Sequence, residues 1–353
     1  MYGQEVAPPF GDRLREALDT YERLTGRRPS MDDVNPLSSH AKPYYRDFCR
    51  TRYRVTVEPS RGEWIALELG IKPMLRLVIE ASAWPVLRMS CESRGHSTAM
   101  VHFPVRESRL DGTTKPTTPA KSDPSDDRIV AFVGRDREKL EEAATVDGEM
   151  LLQDGSEHAW RVQGRRLGEL LGYPPCCVDH FVNTPGNCEN IDVIRRIARR
   201  STRFEPLLNN LSMSLVHAIC WFPCRYDCVA SLKLAREVER QLAAEQPEQQ
   251  SLVRRMWGMP RLYFDERRQL MFDGSVVEDR VQYRAVHTPF TFDRNPSHAV
   301  LDWVFHMDIA RRLAIADELA VDGKVIRVLR ENRVIEEIEL SEEPVLLPFG
   351  QTP

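Results

Sequence analysis

Apolar positions recur at helical spacing in several stretches of this chain and alternate in others. Leu14, Ala17, Leu18, Tyr21 and Leu24 predict a helix over Asp12–Leu24, which Gly26 and Pro29 end. A helix over Met74–Ala81 is expected between strands at Arg54–Val57 and Pro85–Met89. The run Ile129–Val133 reads as a strand ending at Gly134, and Asp136–Ala144 as the helix that follows. Further helices are expected at Arg165–Leu171, Ile191–Arg200, Leu207–Ile219, Asp227–Ala244 and His298–Leu319, the last capped by Ser297 or Asn295. Strands are expected at Arg261–Phe264, Leu270–Phe272 and Arg280–Val286. Lys324–Leu329 and Val334–Leu340 alternate around Glu331–Asn332 and read as a hairpin. The fold class is therefore α+β. The expected organisation is a small N-terminal α+β domain (1–103), a Pro/Ser/Thr-rich linker or loop (104–127) and a Cys-rich domain (128–353).

Composition narrows the function classes. The 353 residues are 42% hydrophobic and 29% charged, so the chain can bury a core. A net charge of −4 argues against wholesale electrostatic binding of nucleic acid. There is no apolar run long enough to span a membrane, and Met1–Phe10 has no secretory pattern, so a cytoplasmic setting is expected. The absence of G-x-G-x-x-G, P-loop, H-E-x-x-H and G-x-S-x-G patterns leaves the common nucleotide, zincin and hydrolase readings without support. Arg outnumbers Lys by 42 to 7, which lowers the weight of any single Arg.

The candidate chemistry lies in the cysteines. Of eight, Cys49 and Cys91 come early and read as core thiols, while Cys176, Cys177, Cys188, Cys220, Cys224 and Cys228 crowd one short stretch. In a reducing compartment such crowding points to metal rather than disulfides. Pro175 and Pro223 each precede a cysteine and suit a first helical position, where a missing N–H costs nothing. Two helix N-termini would then present sulfur, their free N–H groups and partial positive charge favouring thiolate. Cys224 and Cys228 would share one helical face. Adjacent Cys176 and Cys177 look ill-suited to one small tetrahedral ion, and no paired C-x₂-C hooks occur. The spacing therefore favours a [4Fe–4S] cluster, with zinc as the alternative. The preferred cluster ligands are Cys176, Cys177, Cys188, Cys224 and Cys228, with Cys220 a further metal candidate. C-x₃-C-x₃-C is not the radical-SAM run.

The segments Leu171-Gly172-Tyr173-Pro174-Pro175-Cys176-Cys177-Val178 and Phe222-Pro223-Cys224-x₃-Cys228 resemble a prokaryotic Cys-rich family marked by an LGYPxCC segment and a downstream PCxxxC segment. The resemblance covers about residues 129–235 and implies a metal or cluster role in the cytosol, without a substrate.

Around the cysteines, His217 is a candidate ligand or proton donor and Arg225 a clamp for a small anionic substrate. Asp179 and His180 are candidate acid–base groups. Each has a structural alternative: packing for the histidines, first-turn charge for Asp179, a surface charge for Arg225. Arg195, Arg196, Arg199, Arg200 and Arg203 form a like-charged run that reads as a solvated face or as a contact for RNA or another anion. The leading expectation is an iron–sulfur enzyme whose open iron acts on a small anionic substrate by Lewis-acid, sulfur-transfer or redox chemistry. The second is a zinc- or cluster-stabilised binding module that uses the Arg-rich helix. Redox-active thiols without metal are a third.

Overall fold

The computed structural model describes residues 61–101, 128–152, 157–184, 190–209, 217–245, 247–265, 268–287, 309 and 312–350. The expected helix at Asp12–Leu24, the strand at Arg54–Val57, the 104–127 segment, Cys49 and Cys188 lie outside them. The described chain is a mixture of helices and antiparallel sheets, an α+β protein, and falls into two compact units of residues 61–258 and 259–350.

The first unit begins with α1 (Arg61–Glu68), β1 (Met74–Glu80), a 3-10 turn (Ala81–Ala83), α2 (Trp84–Glu92) and β2 (Ser97–Val101). β3 (Arg128–Gly134) lies between β1 and β2 in a three-stranded antiparallel sheet, so chain from both sides of 104–127 builds one sheet. Both faces of β3 are covered. Ile129, Ala131 and Val133 join a cluster with Leu75, Leu77 and Leu87; Val130 and Phe132 join one with Leu140, Leu167 and Leu170. A strand buried on both faces reads as a continuous apolar run.

Two expected elements are exchanged. Met74–Glu80 is a strand rather than a helix, and Pro85–Met89 lies in helix α2 rather than a strand. Met74, Leu77 and Val78 fit a helical period, but Val78–Ile79 are β-branched and favour the pleated sheet. Pro85 sits in the first turn of α2, where its missing N–H is harmless.

After β3 come α3 (Arg137–Leu152), α4 (Glu157–Leu170), α5 (Pro175–Val182), α6 (Asn190–Arg200), a 3-10 turn (Pro206–Leu208), α7 (Val229–Glu245) and α8 (Pro247–Trp257). The helix expected over Leu207–Ile219 does not form in its described parts: after the 3-10 turn, residues 217–219 are irregular. Gly172 (φ 75) closes α4 in the left-handed region, and Tyr173 N–H returns to Gly168 O at 3.0 Å. This turn aims the chain into α5, the helix that carries Cys176 and Cys177.

The second unit is a seven-stranded antiparallel sheet, ordered β10-β4-β5-β6-β7-β8-β9. Its strands are β4 (Arg261–Tyr263), β5 (Gln269–Val277), β6 (Arg280–His287), β7 (Glu318–Asp322), β8 (Val325–Arg330), β9 (Arg333–Glu339) and β10 (Val345–Leu347). The β8–β9 hairpin turns at Glu331 and Asn332, both at positive φ, as a tight two-residue turn requires. The helix expected at His298–Leu319 lies mostly outside the described residues, and Glu318–Leu319 already belong to β7. Phe272, Tyr283, Leu313 and Ile326 share the core of this unit.

Gly168 on α4 has no room for a side chain, since a Cβ there would stand 2.7 Å from Val178 Cγ2 on α5. Gly168→Ala is expected to lower stability by about 1–3 kcal/mol through overpacking. Chemical denaturation of the variant against the wild type checks this.

Candidate metal centre

Four cysteine sulfurs converge. Cys176, Cys177, Cys224 and Cys228 place their Sγ atoms within 4.8 Å of one another. Cys228 Sγ lies 3.7 Å from both Cys176 Sγ and Cys177 Sγ, and those two are 4.0 Å apart. Cys177, Cys224 and Cys228 are buried, while Cys176 is exposed. This donor set can hold a metal ion.

The first pair comes from the tip of α5. Pro174 is the N-cap, Pro175 the first helical residue, and Pro174 O accepts from the N–H of Cys177 (2.8 Å) and Val178 (3.0 Å). The proline-led helix start is thus observed here. The expectation that adjacent Cys176 and Cys177 do not suit one small ion is corrected: from the first turn, both side chains bring sulfur to the same helix tip.

The second pair comes from a loop rather than a helix. Pro223 does not start a helix. Residues 221–228 are irregular and α7 begins at Val229, so Cys228 stands at its N-cap and Cys224 in the preceding loop. The tip of α7 still takes part. Hydrogen bonds from the Cys177 and Cys224 thiols, then from the Ser231 backbone N–H, hold the Cys228 thiol well below its usual range and favour thiolate. Cys177 Sγ accepts from Cys224 N–H at 3.3 Å and lies 3.2 Å from Ser231 Oγ.

The loop is braced on both flanks. Trp221 Nε1 donates to Ser231 Oγ at 3.1 Å, and its ring meets Tyr173 at 5.1 Å between centroids. Phe222 stacks on Phe181 of α5. Tyr226 N–H donates to Ser201 Oγ at 2.7 Å, and Tyr226 O accepts from Glu205 N–H at 3.0 Å. Thr202 hydrogen-bonds buried Asp227; burial opposes ionisation of that carboxyl, but these bonds and Arg225 outweigh it and hold its pKa low.

The remaining expected residues are placed elsewhere. Cys220 is not among the four; its Sγ lies 2.8 Å from Lys72 Nζ. Arg225 pairs its Nε with Asp227 Oδ1 at 3.1 Å. Asp179 is exposed and paired with Arg165. His180 Nδ1 lies 2.9 Å from Arg200 Nη1. Burial, then the Arg200 and Arg196 guanidiniums, push His180 down to about 4, so it is neutral near pH 7 and does not suit proton exchange there. Since Arg can only donate, neutral His180 accepts at Nδ1 and carries its proton on Nε2. His217 lies beside Glu63, not in the four-cysteine group. Cys91 is the buried core thiol expected of it, pushed up to about 11 chiefly by burial.

Asn209 is buried and donates to Trp257 O at 2.7 Å. Tyr283 OH donates to Leu313 O, and Asp265 accepts from Arg268 N–H, both structural roles. Glu63 and Lys72, which flank Cys220, carry no motif in the sequence, and Tyr173 beside them entered only as part of the Leu171–Val178 segment. The available signal was compositional: Lys72 is one of 7 lysines in a chain with 42 arginines.

Comparison with protein-family models, curated proteins and solved structures finds no match to this chain. No helix among the described residues is long and apolar enough to cross a membrane.

His180 has a depressed folded pKa, so its contribution to stability is present above its unfolded value near 6.5 and is lost as pH falls toward about 4. An NMR titration is expected to place the His180 midpoint well below 6; a midpoint above 6 contradicts the buried, arginine-flanked environment.

Proposed function

We propose that Cys176, Cys177, Cys224 and Cys228 bind one tetrahedral metal ion, zinc by preference, whose role is to fasten the 221–228 loop and the tips of α5 and α7 together. The sulfur spacing carries this reading. Zinc–sulfur bonds of about 2.3 Å put tetrahedral sulfurs about 3.8 Å apart. Three of the sulfur pairs, at 3.7, 3.7 and 4.0 Å, fit that figure, and all four sulfurs lie within 4.8 Å of one another. Thiolates on the irons of a [4Fe–4S] cubane stand farther apart, roughly 6 Å. Spacing along the sequence favoured the cluster; spacing between the sulfurs favours the single ion.

Four thiolates also leave no open position. Closed tetrathiolate sites are structural, whereas catalytic zinc keeps a place for water or substrate. The open-iron enzyme reading therefore loses its support at this centre. The role of the ion is mechanical: its binding free energy is folding free energy for the segments it joins. The LGYPxCC and PCxxxC segments supply its ligands, and assignment of the chain to the Cys-rich family they resemble is part of this proposal.

A second reading, a module for RNA or another polyanion, has one observation in its favour. Arg196, Arg199, Arg200 and Arg203 are exposed on and just after α6, and this segment is tied to the metal loop through Ser201 and Thr202. Arg195 is withdrawn from that face by Asp192 at 2.8 Å.

Metal, iron and acid-labile sulfide analysis of protein prepared without oxygen tests the principal reading. One zinc per chain and no sulfide are expected; several irons with matching sulfide contradict it. Cys224→Ser and Cys228→Ser are expected to lose the metal, and Cys188→Ser to keep it. For the second reading, Arg196→Glu with Arg199→Glu is expected to weaken binding of a single-stranded RNA oligonucleotide at least about tenfold at low salt. Equal binding by wild type and variant contradicts it.

A further inference from the structure

A second cluster of reactive groups lies beside the metal centre, built on different residues. Lys72, in the connection from α1 to β1, is 2% exposed. Its Nζ lies 3.0 Å from Glu63 Oε1 and 2.8 Å from Cys220 Sγ. Glu63 and Cys220 also hydrogen-bond each other, so all three pairs are in contact. Tyr173 OH stands 3.7 Å from Cys220 Sγ, and the ammonium of Lys72 lies 5.3 Å from the Tyr173 ring centre. The side chain of Glu63 is 12% exposed and Cys220 is half-buried, while Lys72 is enclosed.

Each arm is fixed by the fold. Glu63 lies in the first turn of α1, and α1 is held close to the Cys220 segment because Gly62 has no side chain; a Cβ there would stand 2.3 Å from His217 O. Lys72 N–H donates to Ala66 O at 2.9 Å. Tyr173 is set by the turn that ends α4, and Cys220 precedes the braced metal loop.

From this geometry we propose that Glu63, Lys72 and Cys220 form a nucleophilic triad for acyl transfer, cleaving the C–N bond of small neutral carboxamides. A nucleophile within reach of a base, with a third group fixing both, is the arrangement such chemistry needs. Cys220 passes its S–H proton to the Glu63 carboxylate while its sulfur bonds to the substrate carbonyl carbon. The C=O electron pair moves to oxygen, where the Lys72 ammonium is the available cation. The pair returns, the C–N bond breaks, and the amine leaves with the proton from Glu63. Water then adds to the thioester, giving its proton to Glu63. The C–S bond breaks, sulfur recovers that proton, and a carboxylic acid departs. The sum is amide plus water to acid plus amine, with no net oxidation.

Protonation supports these roles. Burial pushes the Cys220 thiol up to about 12, so it rests protonated and needs a base. Burial opposes ionisation of Glu63, but Lys72 and then His217 outweigh it and keep the carboxylate ionised. The Glu63–Lys72 pair is internally neutral and offers no net attraction to a charged substrate, and the Tyr173 and Trp221 rings beside it favour a planar, uncharged one. The triad does not depend on which ion the four cysteines hold.

The test uses the full metal-loaded chain and p-nitrophenyl acetate as acyl donor, with p-nitrophenolate release and the site of acetylation read together. A burst of one product per chain is expected, with a hydroxylamine-labile acetyl group on Cys220. Cys220→Ala should abolish the burst while keeping its metal content and melting temperature, which separates this proposal from that on the metal centre. Glu63→Gln should slow acetylation at least about a hundredfold. Should Glu63→Gln not fold, the pH profile of the wild-type burst decides: a rate flat between about pH 6 and 8 supports Glu63 as base. A rate climbing about tenfold per pH unit, the mark of an unassisted thiol, overturns the proposal. A burst retained in Cys220→Ala, or acetylation of Cys220 no faster than in the urea-unfolded chain, also overturns it.

Discussion

The mutual approach of four cysteine sulfurs joins the tip of α5, the 221–228 loop and the start of α7. As thiolates about 4 Å apart they repel, each pair by about 4 kcal/mol at an effective dielectric near 20. That repulsion grows with every proton lost, so the sulfurs stay within 4.8 Å either by sharing protons or by enclosing a cation. This donor set can serve the second outcome. Three of the sulfurs are buried, two backbone N–H groups point at them, and the tips of α5 and α7 meet there. The loop between Trp221 and Cys228 has no regular structure of its own and is held by aromatic stacking and by the 201–205 strap.

Much of this was legible in the sequence where local chemistry decides. Pro175 before Cys176–Cys177 announced a helix tip, because proline in a first turn loses nothing. The same logic failed at Pro223, where the ligand loop stays irregular until Val229; one proline cannot distinguish a helix start from a bracing turn. The Glu331–Asn332 hairpin was legible from alternation around a short polar turn. Met74–Glu80 was not, since a short apolar run fits both periods, and its place beside β3 depends on distant residues, Arg128–Gly134.

The site divides along the same line. Spacing along the chain picked out Cys176, Cys177, Cys224 and Cys228 among its six candidates, but it cannot report that two adjacent side chains turn to one point. Cys220, grouped with the ligands by sequence, belongs with Lys72 and Glu63, more than 140 residues earlier. In a chain so rich in arginine, Lys72 is a buried lysine whose compact ammonium meets both Glu63 and Cys220. The two groups differ in kind: one gathers four sulfurs within 4.8 Å, while the other sets a single thiol against a carboxylate and an ammonium.

X-ray absorption at the metal edge tests the central claim most directly. A single zinc is expected to show one shell of four sulfurs at about 2.3 Å and no heavier scatterer close by. An iron edge with a short metal–metal vector and bridging sulfide would contradict the single-ion centre.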